Sequence, residues 1–444
     1  MRQWRTDSGV VISPMKRRTF LQLVGGVAGS VAERLLGGGT GYAVAARSDT
    51  SLLIGLNLRI RTLDPARTIE NSTWTFVRAL YDSLVAFTPE DLRTPRPSLA
   101  TSWTVSPDGR AYTFRLRPNV QFASGHPLTS ADVKWSLERV INLKDITQYF
   151  VKAIEEVQAP DPLTVIIRLA APQPSILPIL SSPSLGVLDS VAVMAIGGNA
   201  GSDARAKDAA EPYLNHHSLG SGPFILTSYT PNQEVVLAGN PRYWRGAPRI
   251  SHVVARHIPE PASEQFQIER GDLDIAAGIS ADQAQALRGA RGVSVKTSRI
   301  ASTFYVAMNN NPAIGGPFSV PKIQQAVRYA LDYEGIMRMA GPGAVRLAGV
   351  IPTSFAGSLD PSGAVKTDRT RARALLKEAN LGDVRGRLTY SAGFTAWGIQ
   401  VGLLVQKIQN DLAEVGIRID LNGVAHLVAS QEARDGKSQI GVWY

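Results

Sequence analysis

Residues 97–117 read PSLATSWTVSPDGRAYTFRLR, the run with the most distinctive pattern in the chain. Polar and apolar residues alternate over 103–105 and again over 111–116, as they do in strands that bury one face. Between these two runs, Ser106-Pro107-Asp108-Gly109-Arg110 has the composition of a tight turn. The run therefore predicts a β-hairpin.

Around this hairpin the chain alternates between helix-like and strand-like patterns. At 444 residues it is too long for one ordinary domain, so two or three domains are expected. The regular alternation from residue 317 onward indicates an α/β region with parallel pairing. The main predicted elements are strand 52–56, helix 73–84, helix 131–140 capped by Thr129 or Ser130, helix 264–270 closed by Gly271, helix 321–340, helix 368–380, strand 387–391, helix 398–415 and strand 417–421.

The composition excludes several classes of protein. Apolar residues make up 44% of the chain and charged residues 19%, which is typical of globular proteins. The sequence contains no cysteine, so disulfides, thiol catalysis and cysteine-based zinc sites are excluded. The formal charge is +10, but residues 1–46 contribute six basic and two acidic side chains. The remaining charge is spread without a Lys/Arg-rich run, so we expect no nucleic-acid partner.

The N-terminus resembles an export signal. Lys16-Arg17-Arg18-Thr19-Phe20-Leu21 is a twin-arginine start, and the weakly apolar run 21–32 follows it. Ala43-Val44-Ala45-Ala46 offers the small residues that signal peptidase needs. We therefore predict a twin-arginine-type signal over residues 1–46, with either Met1 or Met15 as the start. Since a lipid anchor is built on cysteine, the exported protein is expected to be unanchored and periplasmic.

Taken together, the order of the motifs resembles the extracytoplasmic solute-binding proteins of family 5, the peptide- and nickel-type receptors of ABC importers. The resemblance covers residues 51–444. The matching blocks are Leu63-Asp64-Pro65-Ala66, the hairpin run 97–117, its continuation 120–133, Gly220-Ser221-Gly222-Pro223-Phe224, Asn240-Pro241-Arg242-Tyr243-Trp244-Arg245-Gly246, Gly271-Asp272-Leu273-Asp274 and the run 325–332.

This resemblance implies an α/β fold of the periplasmic-binding-protein type II, with two lobes and an additional α+β domain inserted in the first lobe. On that pattern lobe I is 47–72 plus 215–297, the additional domain is 73–214 and lobe II is 298–444. Such receptors close over a solute by hinge motion and present it to a membrane permease. We expect a monomer that is not an enzyme, with no cofactor, no metal and no catalytic residue.

Ligands of α/β lobes bind at the carboxyl ends of strands, here facing the cleft between the lobes. Three segments meet this condition: 69–72, 304–310 and 394–397. A bound peptide would take main-chain hydrogen bonds from strand edges. Trp397 is the best single candidate, with ordinary packing as the alternative, and Glu70 is either a partner for a ligand cation or a solvated carboxylate. The candidate ligand-binding residues are Glu70, Asn71, Ser72, Tyr305, Asn309, Phe394 and Trp397.

Two kinds of chemistry compete with this interpretation. Ser319-Val320-Pro321-Lys322 has the Ser-x-x-Lys spacing of penicillin-recognising acyl enzymes, which makes a secreted serine acyl-transfer enzyme the alternative function. The companion Lys-Thr-Gly element is not found, and Ser319 reads more simply as a helix N-cap. The histidines 216, 217, 252 and 257 are not expected to bind metal, because His252 and His257 would lie on opposite faces of a strand.

The sequence stops on the predicted strand QIGVWY, residues 439–444. In the peptide-binding members of the family, the stretch after the corresponding Trp carries an Asp that pairs with the ligand's α-ammonium group. Here Trp443 is followed by Tyr444, and we therefore expect the sequence to be either a fragment or the product of a truncated gene. A truncated gene would be expected to give a poorly folded product. The sequence does not choose among dipeptides, oligopeptides, oligosaccharides, opines and chelated nickel as the solute.

Overall fold

The computed structural model describes residues 10–14, 50–88, 91–297, 302–341, 343–355 and 357–444. Its strands are, in chain order, β1 (Val10–Pro14), β2 (Ser51–Leu56), β3 (Val85–Thr88), β4 (Asp91–Pro97), β5 (Ala100–Val105), β6 (Ala111–Leu116), β7 (Ile154–Asp161), β8 (Thr164–Leu169), β9 (Phe224–Thr230), β10 (Glu234–Gly239), β11 (His252–His257), β12 (Ile275–Ala276), β13 (Val293–Thr297), β14 (Tyr305–Met308), β15 (Val384–Ser391), β16 (Thr395–Ala396), β17 (Ile399–Gln400), β18 (Ile417–Val424) and β19 (Ile440–Trp443).

The α-helices are, in chain order, α1 (Asn71–Leu80), α2 (Ser130–Leu143), α3 (Gln148–Val151), α4 (Ile176–Leu180), α5 (Ser190–Ala195), α6 (Ala204–Lys207), α7 (Glu211–Leu214), α8 (Pro261–Arg270), α9 (Ala281–Ala286), α10 (Pro312–Gly315), α11 (Pro321–Ala330), α12 (Tyr333–Ala340), α13 (Arg369–Ala379), α14 (Val401–Ala413) and α15 (His426–Arg434). Within the described ranges, none of them has the length and apolar character that crossing a bilayer requires.

Lobe I is built on a seven-stranded sheet in the order β13-β1-β12-β2-β11-β10-β9. The central strand β2 is parallel to both of its neighbours, β11 and β12, whereas β9, β10 and β11 pair antiparallel. Strand β1 pairs antiparallel with β12 and β13. It lies inside the segment 1–46, whose role as an export signal stays a prediction. The parallel centre of the sheet fits the predicted α/β class.

The middle part of the chain forms an antiparallel sheet, β5-β6-β8-β7, with α2 packed against it. The predicted hairpin is confirmed: Val105 pairs with Tyr112, and Gly109 in the turn has φ 67°. Helix α2 begins after Thr129, as predicted. The carboxylate of Asp132 accepts hydrogen bonds from both the backbone N–H and the hydroxyl of Thr129, at 2.8 and 2.9 Å.

Lobe II has a four-stranded sheet in the order β14-β19-β15-β18. Strand β15 runs parallel to β18 and β19, and β14 pairs antiparallel with β19. Helices α11, α13 and α14 cover it, and its core includes Phe318, Ile323, Leu388 and Ile417. Three strands, β15, β18 and β19, therefore end at the same edge of the sheet.

Several helix predictions are wrong at their boundaries. The predicted helix 398–415 begins only at Val401, because Ile399 and Gln400 form strand β17, which pairs with β16. The predicted helix 321–340 is two helices, because Leu331 is extended and the Asp332 carboxylate accepts the N–H of Gly335 at 3.0 Å, which caps α12. Helix α1 ends at Leu80 rather than at residue 84. The carbonyl of Leu80 accepts a hydrogen bond from the N–H of Gly222 at 3.1 Å. It therefore bonds to the segment before β9 instead of continuing the helix.

A buried ionic cluster joins the Leu-Asp-Pro turn to helix α2 in the middle part of the chain. The guanidinium of Arg139 on α2 donates to both carboxylate oxygens of Asp64, at 2.8 and 2.6 Å. It also donates twice to Asp208, at 2.8 Å each, and all three side chains are buried. Arg67 adds ion pairs to Asp145 and Asp208. Bidentate pairing of this kind fixes the orientation of both elements.

Candidate functional site

The segment that follows β2 carries charged side chains towards lobe II. The backbone N–H of Leu58 donates to Nδ1 of His257 at 3.0 Å, and the carbonyl of Arg59 accepts the hydroxyl of Ser72 at 2.7 Å. Arg61 forms an ion pair with Glu70 at 3.3 Å. These bonds tie the segment to the end of β11 and to the start of α1, so the position of Arg59 is fixed by its neighbours on both sides.

On the lobe II side, an aromatic cluster occupies the edge where β15, β18 and β19 end. Phe394 follows β15, His426 begins the helix after β18, and Tyr444 follows β19. The Phe394 ring stacks on His426 and on Tyr444, with centroid distances of 4.9 Å in both cases. The hydroxyl of Ser391 lies 3.0 Å from Nδ1 of His426. This edge is where the rule for α/β lobes places a ligand.

Arg59 and Phe394 meet across the space between the two lobes. The Cζ atom of Arg59 lies 4.4 Å from the centroid of the Phe394 ring, which is a cation–π contact. Further along the interface, Gly398 approaches the carbonyl of Ile279, and a Cβ at Gly398 would lie 3.1 Å from that oxygen. The lobes are thus in contact, with lobe I contributing a cation and lobe II an aromatic platform.

The surroundings set the charge of this interface. Burial lowers the pKa of the His426 imidazole, and the positive charge of Arg59 lowers it further, against the opposing effect of Glu70. Burial and Arg59 also lower the pKa of His257. Burial raises the pKa of the Tyr444 phenol, so this group stays protonated. Near neutral pH both imidazoles are uncharged, and Arg59 keeps its charge despite its burial.

A pocket lies beside the aromatic cluster and is lined by residues of β14, β19 and α15. Its volume is about 340 Å³, within the range of small-molecule sites. Both polar and aromatic groups line it: Tyr305, Ala307, His426, Ser430, Ala433, Trp443 and Tyr444.

Several of the predicted residues are brought to this interface. Glu70 accepts hydrogen bonds from the Thr68 hydroxyl at 2.6 Å and from Arg61, so its carboxylate is already engaged. Ser72 is bonded to the Arg59 carbonyl, and Phe394 lies at the centre of the contact. Tyr305 is 52% exposed and lines the pocket.

The other predicted residues have different surroundings. The side-chain amide of Asn309 donates to the carbonyls of Gly436 and Ser438, at 2.7 and 3.2 Å, and so holds the turn before β19. Asn71 is exposed at the first position of α1. Trp397 packs against the lobe II core with φ 52°, and its buried Nε1 has no hydrogen-bond partner among the described residues.

The sequence prediction missed Arg59, His426 and Tyr444. Arg59 lies in the run LNLRIRT just ahead of the Leu-Asp-Pro turn. Its position shortly after the end of β2 is the sequence feature from which it could have been predicted. His426 is the first residue of the helix after the predicted strand 417–421, a position that the strand-end rule covers. The position of Tyr444 at this edge follows from the parallel pairing of β19 with β15, which the sequence does not reveal.

The alternative acyl-transfer arrangement is not assembled. The Ser319 hydroxyl donates to the carbonyl of Gly316 at 2.7 Å within a 3-10 turn, so the prediction that it caps the following helix is wrong. Val320 precedes that helix instead, because Pro321 occupies its first turn. The Lys322 ammonium pairs with Glu378 at 3.4 Å. Within the described residues, no group of three or more His, Asp or Glu is close enough to hold a metal ion.

Comparison with known proteins places this arrangement in a family. The chain is 30% identical over 411 residues to the probable D,D-dipeptide-binding periplasmic protein DdpA of Escherichia coli (strain K12), covering 90% of this chain and 76% of the relative. It is 29% identical over 390 residues to the di/tripeptide-binding protein 2 of Pseudomonas aeruginosa (strain UCBPP-PA14), covering 81% and 69%. Both relatives are named as peptide-binding proteins, and the first is named as periplasmic.

A solved structure matches the fold with a TM-score of 0.74 and 28% identity, over 89% of this chain and 78% of the other: the binding protein MoaA from A.tumefacien R10, in complex with mannopinic acid. The architecture is that of the type II periplasmic binding proteins. The family model of the bacterial extracellular solute-binding proteins, family 5 Middle, matches residues 94–444. The chain therefore belongs to the bacterial extracellular solute-binding proteins of family 5.

Proposed function

We propose that the protein is the periplasmic substrate-binding protein of an ABC importer, which captures a peptide or similar polar solute by hinge closure and delivers it to the membrane permease. The observation that carries this proposal is the meeting of Arg59 from lobe I with the Phe394, His426 and Tyr444 cluster from lobe II. A solute held there touches both lobes, so its binding energy favours the closed state.

The names of the relatives support a peptide-like cargo. DdpA is described as binding D,D-dipeptides, the Pseudomonas aeruginosa protein as binding di- and tripeptides, and MoaA was solved with mannopinic acid. A cargo with charged and polar groups fits a cleft lined by an arginine, imidazoles and hydroxyls.

We propose that the cleft lies between the two lobes and that the candidate residues of both lobes line it. Lobe I is taken as 47–72 plus 215–297, the additional domain as 73–214 and lobe II as 298–444. The residues proposed to contact the cargo are Glu70, Asn71, Ser72, Tyr305, Asn309, Phe394 and Trp397. Among them Phe394 has the best support, because it lies at the contact between the lobes.

The proposal also covers the form in which the protein works. It is a monomeric binder without a cofactor, without enzymatic activity and without a nucleic-acid partner. It reaches the periplasm through the twin-arginine signal in residues 1–46 and carries no lipid anchor. N-terminal sequencing of the protein recovered from the periplasm tests this export route, and the expected first residue lies just after Ala46.

The binding function is tested by isothermal titration with D-alanyl-D-alanine, L-dipeptides, L-tripeptides and mannopinic acid. Phe394→Ala should weaken the binding of any ligand from this panel about tenfold or more, since it removes both a stacking surface and the contact with Arg59. Phe266→Ala is the matched control, because Phe266 also contacts an arginine, Arg270, but on the exposed surface of α8. Equal effects of the two substitutions, or hydrolysis of a panel member, would contradict the proposal.

A further inference from the structure

Arg59 differs from the other arginines that surround the Leu-Asp-Pro turn. Arg61, Arg67 and Arg139 each form ion pairs with carboxylates. Among the residues that the structure describes, the Arg59 guanidinium has neither an ion pair nor a hydrogen bond, although burial is strong enough to lower its pKa. A guanidinium has five N–H donors, and partial removal from water without partners is unfavourable.

The contact with Phe394 leaves these donors available. It is the central Cζ atom that lies 4.4 Å from the ring centroid, so the N–H groups are at the periphery of the contact. An aromatic ring attracts the positive charge but does not accept conventional hydrogen bonds from all five N–H groups. The ring thus holds the guanidinium in place and leaves its N–H groups free to bind a ligand.

The groups that face Arg59 do not neutralise it. The Glu70 carboxylate is engaged by Arg61, Thr68 and the backbone of Ile69. Across the cleft, burial keeps the Tyr444 phenol protonated and the His426 imidazole neutral, and the nearby Arg434 adds further positive charge. The imidazole of His257 behind Arg59 is also neutral near pH 7, because burial lowers its pKa.

We infer that Arg59 is the anion-binding group of this cleft and that it takes a carboxylate of the cargo, an inference that rests on the proposed receptor function. A planar carboxylate accepts two parallel N–H···O bonds from a guanidinium. A phosphate monoester would bring about −1.5 to −2 charges, which a single guanidinium in a partly buried site does not offset. The one guanidinium that contacts the Phe394 ring therefore matches one carboxylate.

The test uses the full chain and a low-molecular-mass bacterial extract as the probe. One portion is left untreated, a second is methyl-esterified in acidic methanol, which blocks carboxylates and leaves phosphates charged, and a third is esterified and then saponified. Each portion is titrated into wild type, Arg59→Met, Arg59→Lys and the control Arg256→Met, an exposed arginine on β11. Intrinsic tryptophan fluorescence reports binding, and a melt without extract verifies that each variant is folded.

Esterification is expected to weaken wild-type binding about 10- to 100-fold, the range of a lost hydrogen bond to a charged group, and saponification to restore it. Arg59→Met should bind the untreated extract as weakly as the esterified one, Arg59→Lys should be intermediate, and Arg256→Met should behave as wild type. The inference is overturned if esterification leaves wild-type binding unchanged, or if Arg59→Met keeps the full sensitivity to esterification. Absence of binding from every portion would instead refute the receptor function itself.

Discussion

Glu264 on α8 gives the protein a pH-dependent stability that can be measured directly. Its side chain is 0% exposed, and its Oε1 accepts the N–H groups of Ala277 and Gly278, the latter at 2.8 Å. The other oxygen, Oε2, is buried without a partner among the described residues. Burial raises the pKa of this carboxyl from 4.5 to about 7, and the two N–H groups oppose the rise only in part.

The sign of the effect follows from proton linkage. Between pH 4.5 and about 7 the folded protein holds a proton on Glu264 that the unfolded chain has released. This contribution to stability is fully present below pH 4.5 and is lost as the pH rises through about 7. The difference between the two pKa values corresponds to about 3 kcal/mol of unfolding free energy. Most of that loss falls between about pH 5 and pH 7.

Glu264→Gln removes the titration while keeping a carbonyl oxygen for the two N–H groups. We expect the variant and wild type to have similar unfolding free energies at pH 5, and the variant to be more stable by about 3 kcal/mol at pH 8. Urea unfolding at several pH values, followed by tryptophan fluorescence, measures this difference. Glu269→Gln, an exposed position on the same helix, is the control and should run parallel to wild type. Parallel curves for Glu264→Gln and wild type would refute the reasoning.

Two further substitutions test how the parts of the fold are joined. Arg139→Met should lower the unfolding free energy by about 3–5 kcal/mol in urea titrations, because it removes the bidentate partner of the buried carboxylates of Asp64 and Asp208 and leaves them only the longer ion pairs with Arg67. A loss below about 1 kcal/mol would contradict this. Gly222→Ala places a Cβ 2.5 Å from the Leu80 carbonyl carbon, so we expect about 1–3 kcal/mol of destabilisation in the same assay. An unchanged urea midpoint would contradict this prediction, because it would show that the backbone shifts there without cost.

Local patterns predicted the fold wherever the signal was contained in a few neighbouring residues. The hairpin of β5 and β6 follows from its turn composition, and Gly271 ends α8 in the left-handed region at φ 75°, as predicted. The break between α11 and α12 was missed because helical spacing continues across Leu331 and Asp332. The interruption is set by the side chain of Asp332, which caps the second helix.

The candidate site was predictable in part for a similar reason. The rule that ligands approach strand ends identified Phe394, which requires only the order of elements along the chain. Arg59, His426 and Tyr444 were missed because their meeting depends on strand order within lobe II and on the contact between the lobes. Neither is encoded in a short stretch of sequence.

The buried cluster around Arg139 has a mechanical consequence. The links from Arg139 to Asp64 and Asp208 are shielded from water, so bending at this joint would expose three charges at once. Lobe I and the additional domain should therefore move as a single rigid body. Opening of the cleft is then a rotation of lobe II relative to this body about one axis. Distance probes across that joint should stay constant through a transport cycle, while probes that reach lobe II should register the whole amplitude.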